Sequence, residues 1–100
     1  MITRNQDDFL INIADWNEPL AIDLANESGI ALSERHWEII RILRELYLKN
    51  TRHPAMRVFI KELRSGQHAS TMLELMQLFG ERPLFTISFI AGLPKPPHCI

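Results

Sequence analysis

Cysteine is nearly absent: the chain has one among its 100 residues, Cys99. That excludes an internal disulfide and a cysteine-based zinc site within the chain. Long apolar runs are also missing. No stretch approaches the ~18 uncharged residues a membrane-crossing helix needs. The opening Met1-Ile2-Thr3-Arg4-Asn5-Gln6-Asp7-Asp8 has no apolar centre and carries two acids, unlike a secretory signal, so a cytoplasmic location is expected. Neither sign of charge is in surplus: eleven Lys and Arg stand against twelve Asp and Glu. A dedicated nucleic-acid binder is normally far more basic. The four histidines, His36, His53, His68 and His98, are scattered rather than set at metal-ligand spacing. Neither a metal nor an organic cofactor is expected. What remains is 46% hydrophobic and 23% charged. That is too apolar for a disordered chain and long enough for a single small core.

The pattern of what is present predicts a mainly α fold, a small orthogonal bundle of about five helices. The run Phe9-Leu10-Ile11-Asn12-Ile13 reads as a short N-terminal strand or β-hairpin arm. Asp15-Trp16-Asn17 is a turn with capping chemistry, and Trp16 an anchor in the core or hairpin. A first helix is predicted over about 18–28, with Pro19 tolerated in its first turn and Gly29 as its stop. Ser33 suits the cap of a second helix, about 34–50, whose Trp37, Ile40, Leu43 and Tyr47 recur at helical spacing, widened by Ile39, Ile42 and Leu46. This helix is expected to be the central, most buried one, with His36 and Trp37 marking its start and packing. Pro54 is predicted to open a third helix to about Leu63, with Met56, Phe59, Ile60 and Leu63 facing inward. Ser65 to His68 reads as a loop. Thr71 with Glu74 fits a capping box for a fourth helix over about 71–79, stopped by Gly80. Pro83 opens a last apolar helix, about 83–91, expected to face the core and closed by Gly92.

The last eight residues differ in kind. Leu93-Pro94-Lys95-Pro96-Pro97-His98-Cys99-Ile100 holds three of the six prolines. Proline lacks a helical N–H donor and biases its predecessor to extended geometry. The expected division is therefore a helical domain, 1–92, and a flexible, extended, proline-rich C-terminal arm, 93–100. At ~3.1 Å per residue, Leu93 to Cys99 spans ~20 Å, enough to carry a thiol into another protein's site. Only a few per cent of an ordinary cysteine is thiolate at neutral pH, but that thiolate is strongly nucleophilic, and sulfur is a competent leaving atom. Such a residue can accept a persulfide sulfur and hand it on. A bland alternative stays open from composition alone: an idle thiol on a frayed end.

Charge is unevenly spread. Residues 1–48 carry nine acids and four bases. Residues 49–68 carry Lys49, Arg52, Arg57, Lys61 and Arg64 against Glu62 alone. This local basic patch suits an anionic contact. The second and third helices, joined by Asn50–His53, also have the layout of a helix-turn-helix with Arg57, Lys61 and Arg64 toward phosphates. Few base-reading side chains accompany them, and direct DNA binding is disfavoured.

The ending Ile90-Ala91-Gly92-Leu93-Pro94-Lys95-Pro96-Pro97-His98-Cys99-Ile100 resembles the C-terminal signature of the DsrC/TusE family of small sulfur-trafficking proteins. Asp15-Trp16-Asn17-Glu18-Pro19-Leu20-Ala21, Gly29-Ile30-Ala31-Leu32-Ser33 with His36-Trp37-Glu38, and Pro54-Ala55-Met56-Arg57-Val58 with Lys61 resemble further family segments. The likeness covers roughly residues 8–100. It implies that Cys99 is the persulfide-carrying residue, with Arg57 and Lys61 as assisting residues that receive the arm, pair with the terminal carboxylate or stabilise the thiolate. Members serving dissimilatory sulfite reductase carry a second cysteine eleven residues before the last, and that position here is Ser88. The chain therefore resembles the single-cysteine TusE branch, a sulfurtransferase relay toward 2-thiouridine at the tRNA wobble position. The implied donor is a complex of the TusBCD type, and the implied acceptor a tRNA 2-thiouridylase, with tRNA as an indirect partner. Two alternatives belong to other classes: a regulatory or DNA-associated protein, and a subunit interacting with a sulfite reductase or sulfur-oxidation complex. Departures from the family over 61–79 and 84–89 bear on which partner surface is kept.

Overall fold

The computed structural model describes residues 4–6, 9–10, 12–65 and 72–96. Among these the chain is helical: α1 (Glu18–Glu27), α2 (Glu34–Asn50), α3 (Met56–Ser65), α4 (Met72–Phe79) and α5 (Pro83–Ile90), preceded by a 3-10 turn at Ile13–Asp15. The caps explain most of these limits. The Asn17 side chain accepts from the Leu20 amide at 2.8 Å and starts α1. Ser33 and His36 satisfy each other's backbone donors as a capping box and start α2. The loop and capping box predicted around Gly66–Thr71 lie outside the described residues.

Three expectations are corrected. First, no strand forms among the described residues. Arg4 and Leu10 make a single antiparallel bridge. The apolar run is used for packing instead. Phe9 is fully buried, with its ring edge-on to Phe85 and Phe89 at 5.1 and 5.5 Å. Leu10 joins Leu20 and Leu24 in a small second cluster. An isolated two-stranded ribbon is marginal in water, so burial against helices wins. Second, α3 begins two residues after Pro54. The Ala55 carbonyl accepts from the Phe59 amide at 3.0 Å, which makes Ala55 the cap and leaves Pro54 outside the helix. Third, the central helix is α5, not α2. It packs against α1, α2 and α4, whereas α2 packs against α3 and α5. The reason is compositional: Pro83–Ile90 contains no charged residue, so α5 is buried all round, while α2 must keep one face wet for Glu34, Arg41, Glu45 and Lys49.

The main core joins Ala21 and Ala25 of α1, Ile39, Ile40 and Leu43 of α2, Phe59 and Leu63 of α3, Leu75 and Phe79 of α4, and Leu84, Ile87 and Ile90 of α5. His36 belongs to it structurally. Its Nδ1 faces Ser33 Oγ at 2.7 Å, and its Nε2–H donates to the Leu78 carbonyl at 2.9 Å. It thereby ties the start of α2 to the end of α4. No helix among the described residues is long and apolar enough to cross a membrane.

Ser88, on α5, is fully buried, and its hydroxyl has no hydrogen-bond partner among the described residues. An orphaned buried hydroxyl is unfavourable, and alanine is the better helix former. Ser88→Ala is therefore expected to stabilise the protein by ~1 kcal/mol, read as a higher urea midpoint at unchanged slope.

Candidate functional site

The site is the root of the C-terminal segment, where α5 ends and the proline-rich stretch begins. Helix α5 closes with a Schellman motif. Gly92 is left-handed at φ +70°. The Leu93 amide donates to the Ser88 carbonyl at 3.0 Å, and the Gly92 amide to the Phe89 carbonyl at 3.3 Å. Two carbonyls at the end of the helix are capped by side chains from other elements. Trp16 Nε1–H donates to the Ile90 carbonyl at 2.8 Å. Arg44, from α2, donates through Nη1 to the Ala91 carbonyl at 2.5 Å. The Arg44 guanidinium also lies over the Trp16 ring, 4.1 Å from its centroid. A cation at a helix C-terminus is favoured by the helix dipole, and one over indole by the ring quadrupole. Burial nonetheless pulls the Arg44 pKa below its ordinary value, with no opposing carboxylate among the causes.

Gly92 has no room for a side chain. A Cβ there would sit 2.5 Å from Trp16 Cδ1 and 2.9 Å from its Cβ and Cγ. Trp16 and Gly92 are thus in direct contact, and the chain leaves the helix against an indole wall. Leu93 is fully buried and belongs to the main core. The segment expected as a flexible arm from residue 93 is therefore seated at its base. Pro94 is held too: its carbonyl lies 2.6 Å from His53 Nε2. Because a carbonyl can only accept, Nε2 carries the hydrogen. Pro96 is buried, and Pro94 and Lys95 are exposed.

His53 lies in the connection between α2 and α3, its ring 5.0 Å from that of Tyr47. Its Nδ1 is buried and without a partner among the described residues. Burial pushes its pKa below the ordinary imidazole value of 6.5, partly opposed by the bond to Pro94. The unfolded chain then binds the proton more readily than the folded one. The stability contributed by neutral His53 is fully present above the ordinary value and is lost as pH falls through it toward the lower folded value.

Of the residues predicted to carry the chemistry, Cys99 lies outside the described residues, as do Pro97 and His98. Arg57 and Lys61 are exposed, one turn apart on α3. At 100° per residue, Arg57, Lys61 and Arg64 fall within an arc of about 60° on the side away from Phe59 and Leu63. Nothing among the described residues groups three His, Cys, Asp or Glu side chains as a metal would need. Arg44 and His53 were not legible as site residues. Arg44 had one signal: it sits beside Leu43, between Ile40 and Tyr47, on the edge of the apolar stripe where a solvated arginine is out of place.

This root geometry, a tryptophan-walled helix end feeding a proline-rich segment, belongs to a small, mainly helical protein. The chain belongs to the DsrC-like family, whose model, described as DsrC like protein, matches residues 1–100. Sulfurtransferase TusE of Escherichia coli O6:H1 is 38% identical over 101 residues, covering 99% of this chain and 93% of that protein. The oxidized γ-subunit of the dissimilatory sulfite reductase (DsrC) from Archaeoglobus fulgidus superposes with a TM-score of 0.86 at 31% identity, covering 99% of this chain and 92% of that one. Allochromatium vinosum DsrC gives 0.85 at 33% identity, covering 99% and 90%.

Proposed function

We propose that the chain is a cytoplasmic sulfur carrier, a sulfurtransferase that takes sulfane sulfur onto Cys99 and relays it to an acceptor enzyme. The observation that carries this reading is the match to sulfurtransferases at 37–38% identity over essentially the whole chain. Cys99 is the only thiol in the sequence, so the cargo has one place to sit. In the first step the Cys99 thiolate attacks the outer sulfur of a donor persulfide. A new S–S bond forms at Sγ, the donor's S–S bond breaks, and the donor leaves as a thiolate while the transferred sulfur keeps its proton. In the second step an acceptor thiolate attacks that outer sulfur, and Cys99 departs as thiolate. Each step exchanges one S–S bond for another, so no external oxidant or reductant enters.

The donor in this reading is a complex of the TusBCD type and the acceptor a tRNA 2-thiouridylase, placing the relay on the route to 2-thiouridine at the tRNA wobble position. Arg57 and Lys61 assist from α3 by attracting the thiolate or the terminal carboxylate. The reading as a sulfite reductase subunit draws on the named structural neighbours. It is weakened by Ser88, whose oxygen cannot enter a disulfide or trisulfide with Cys99 and which is sealed inside α5.

The test is intact-mass spectrometry after incubating the protein with a cysteine desulfurase, cysteine and the donor complex. One reductant-labile sulfur per chain is expected, on the C-terminal peptide. A mass that stays unchanged with all three components present would overturn the carrier reading.

A further inference from the structure

We propose that His53 is a positioning residue for sulfur transfer: by holding the Pro94 carbonyl it sets the direction in which the Cys99-bearing segment leaves the body of the protein. The inference rests on Cys99 as the sulfur carrier and adds how that sulfur is aimed.

The argument starts from what this segment cannot do. Of residues 93–97, three are proline and lack an N–H. Leu93 spends its amide on closing α5. Leu93 and Pro96 are held by burial, and the carbonyls of a stretch so poor in donors need side-chain donors from elsewhere. Trp16 and Arg44 serve the carbonyls of Ile90 and Ala91, before the chain has left the helix. His53 serves Pro94, the first residue beyond the core, at 2.6 Å. Its contact thus falls on the backbone just where the chain has passed Leu93, the last residue of the main core.

The donor is itself held. Its ring lies 5.0 Å from Tyr47. Its backbone precedes Pro54 and is biased to extended geometry. Two residues earlier Thr51 is left-handed at φ +59°, a strained conformation for a β-branched residue, and its amide closes α2 on the Tyr47 carbonyl at 2.7 Å. The α2–α3 corner is thus a tight turn that delivers the imidazole to Pro94. Among the described residues nothing else competes for that ring, whose Nδ1 is buried and has no partner there. Five residues of any chain reach at most ~15 Å when extended in the polyproline manner, which bounds how far Cys99 can stand from Pro94. The direction set at the root therefore bears on which part of that reach the thiol can occupy.

The experiment compares wild type, His53→Ala and His53→Gln, since the glutamine amide can present a donor near the position of Nε2–H. Two readouts are used. Sulfur transfer from preloaded protein to the acceptor enzyme gives kcat and KM. A nitroxide on Cys99 reports mobility without any sulfur chemistry. His53→Ala is expected to lower kcat/KM by about tenfold, mostly through KM, and to sharpen the nitroxide spectrum, with alkylation of Cys99 by iodoacetamide unchanged. His53→Gln is expected to restore both. The proposal is overturned if His53→Ala transfers like wild type, if glutamine rescues neither readout, or if alkylation falls in step with transfer. If wild type carries no sulfur at all, the carrier reading fails, while the nitroxide comparison still decides whether His53 aims the segment.

Discussion

Gly92→Ala is expected to destabilise the protein by ~3–5 kcal/mol, more than the same change at Gly29 or Gly80. Two causes combine. A non-glycine residue at φ +70° pays the left-handed penalty. The added Cβ would also lie 2.5 Å from Trp16 Cδ1. Trp16 cannot step aside freely, because its Nε1–H is bound to the Ile90 carbonyl and its ring lies under Arg44. Moving it breaks the helix cap and the guanidinium stack together. Gly80 supplies the control. It is also left-handed, at φ +97°, but a Cβ there meets nothing within 4 Å. Gly80→Ala should therefore lose only the conformational part, ~1–2 kcal/mol. Urea unfolding of the two variants separates the terms. Equal losses would show that the indole wall contributes nothing. A two- to threefold difference is expected.

The contrast between those glycines shows what a sequence displays and what it conceals. The limits of α1, α2, α4 and α5 were readable to within a residue or two, because each is punctuated by Asn17, Ser33, Pro83 or a following glycine, all of which act locally. The start of α3 was misread because Pro54 is compatible with both the first helical turn and the residue ahead of the cap. The N-terminal run failed for a tertiary reason: Phe9 is consumed by Phe85 and Phe89, almost eighty residues away. Burial ranking failed for a related one. Periodicity shows which face of α2 is apolar, but not that α5, with no polar face to display, must lie at the centre. The site splits the same way. Cys99 stood out through composition, and Arg57 and Lys61 through resemblance. The side chains that hold the root, Arg44 and His53, act on carbonyls of Ala91 and Pro94. Backbone acceptors are identical at every residue, so no pattern of letters can show which of them a distant donor will reach.

Cys99→Ser is expected to abolish sulfur loading altogether while leaving the unfolding free energy within ~0.5 kcal/mol of wild type. The substitution exchanges one atom, and the hydroxyl that replaces the thiol is neither ionised at neutral pH nor able to form the S–S bond on which both steps depend. An adduct surviving in Cys99→Ser would place the cargo elsewhere and remove the basis of the relay. The complementary changes are Arg57→Ala and Lys61→Ala. Both side chains are exposed on α3, so each should unfold like wild type. If their charges draw the thiolate or the terminal carboxylate toward α3, each variant loads and transfers several-fold more slowly at low salt, and the pair together loses most of the salt dependence, because exposed charges act through a screened field. Wild-type rates in both variants at low salt would reduce Arg57 and Lys61 to a solvated face. Cys99 would then stand alone as the reacting group, and aim would rest with the root that Trp16, Arg44 and His53 build.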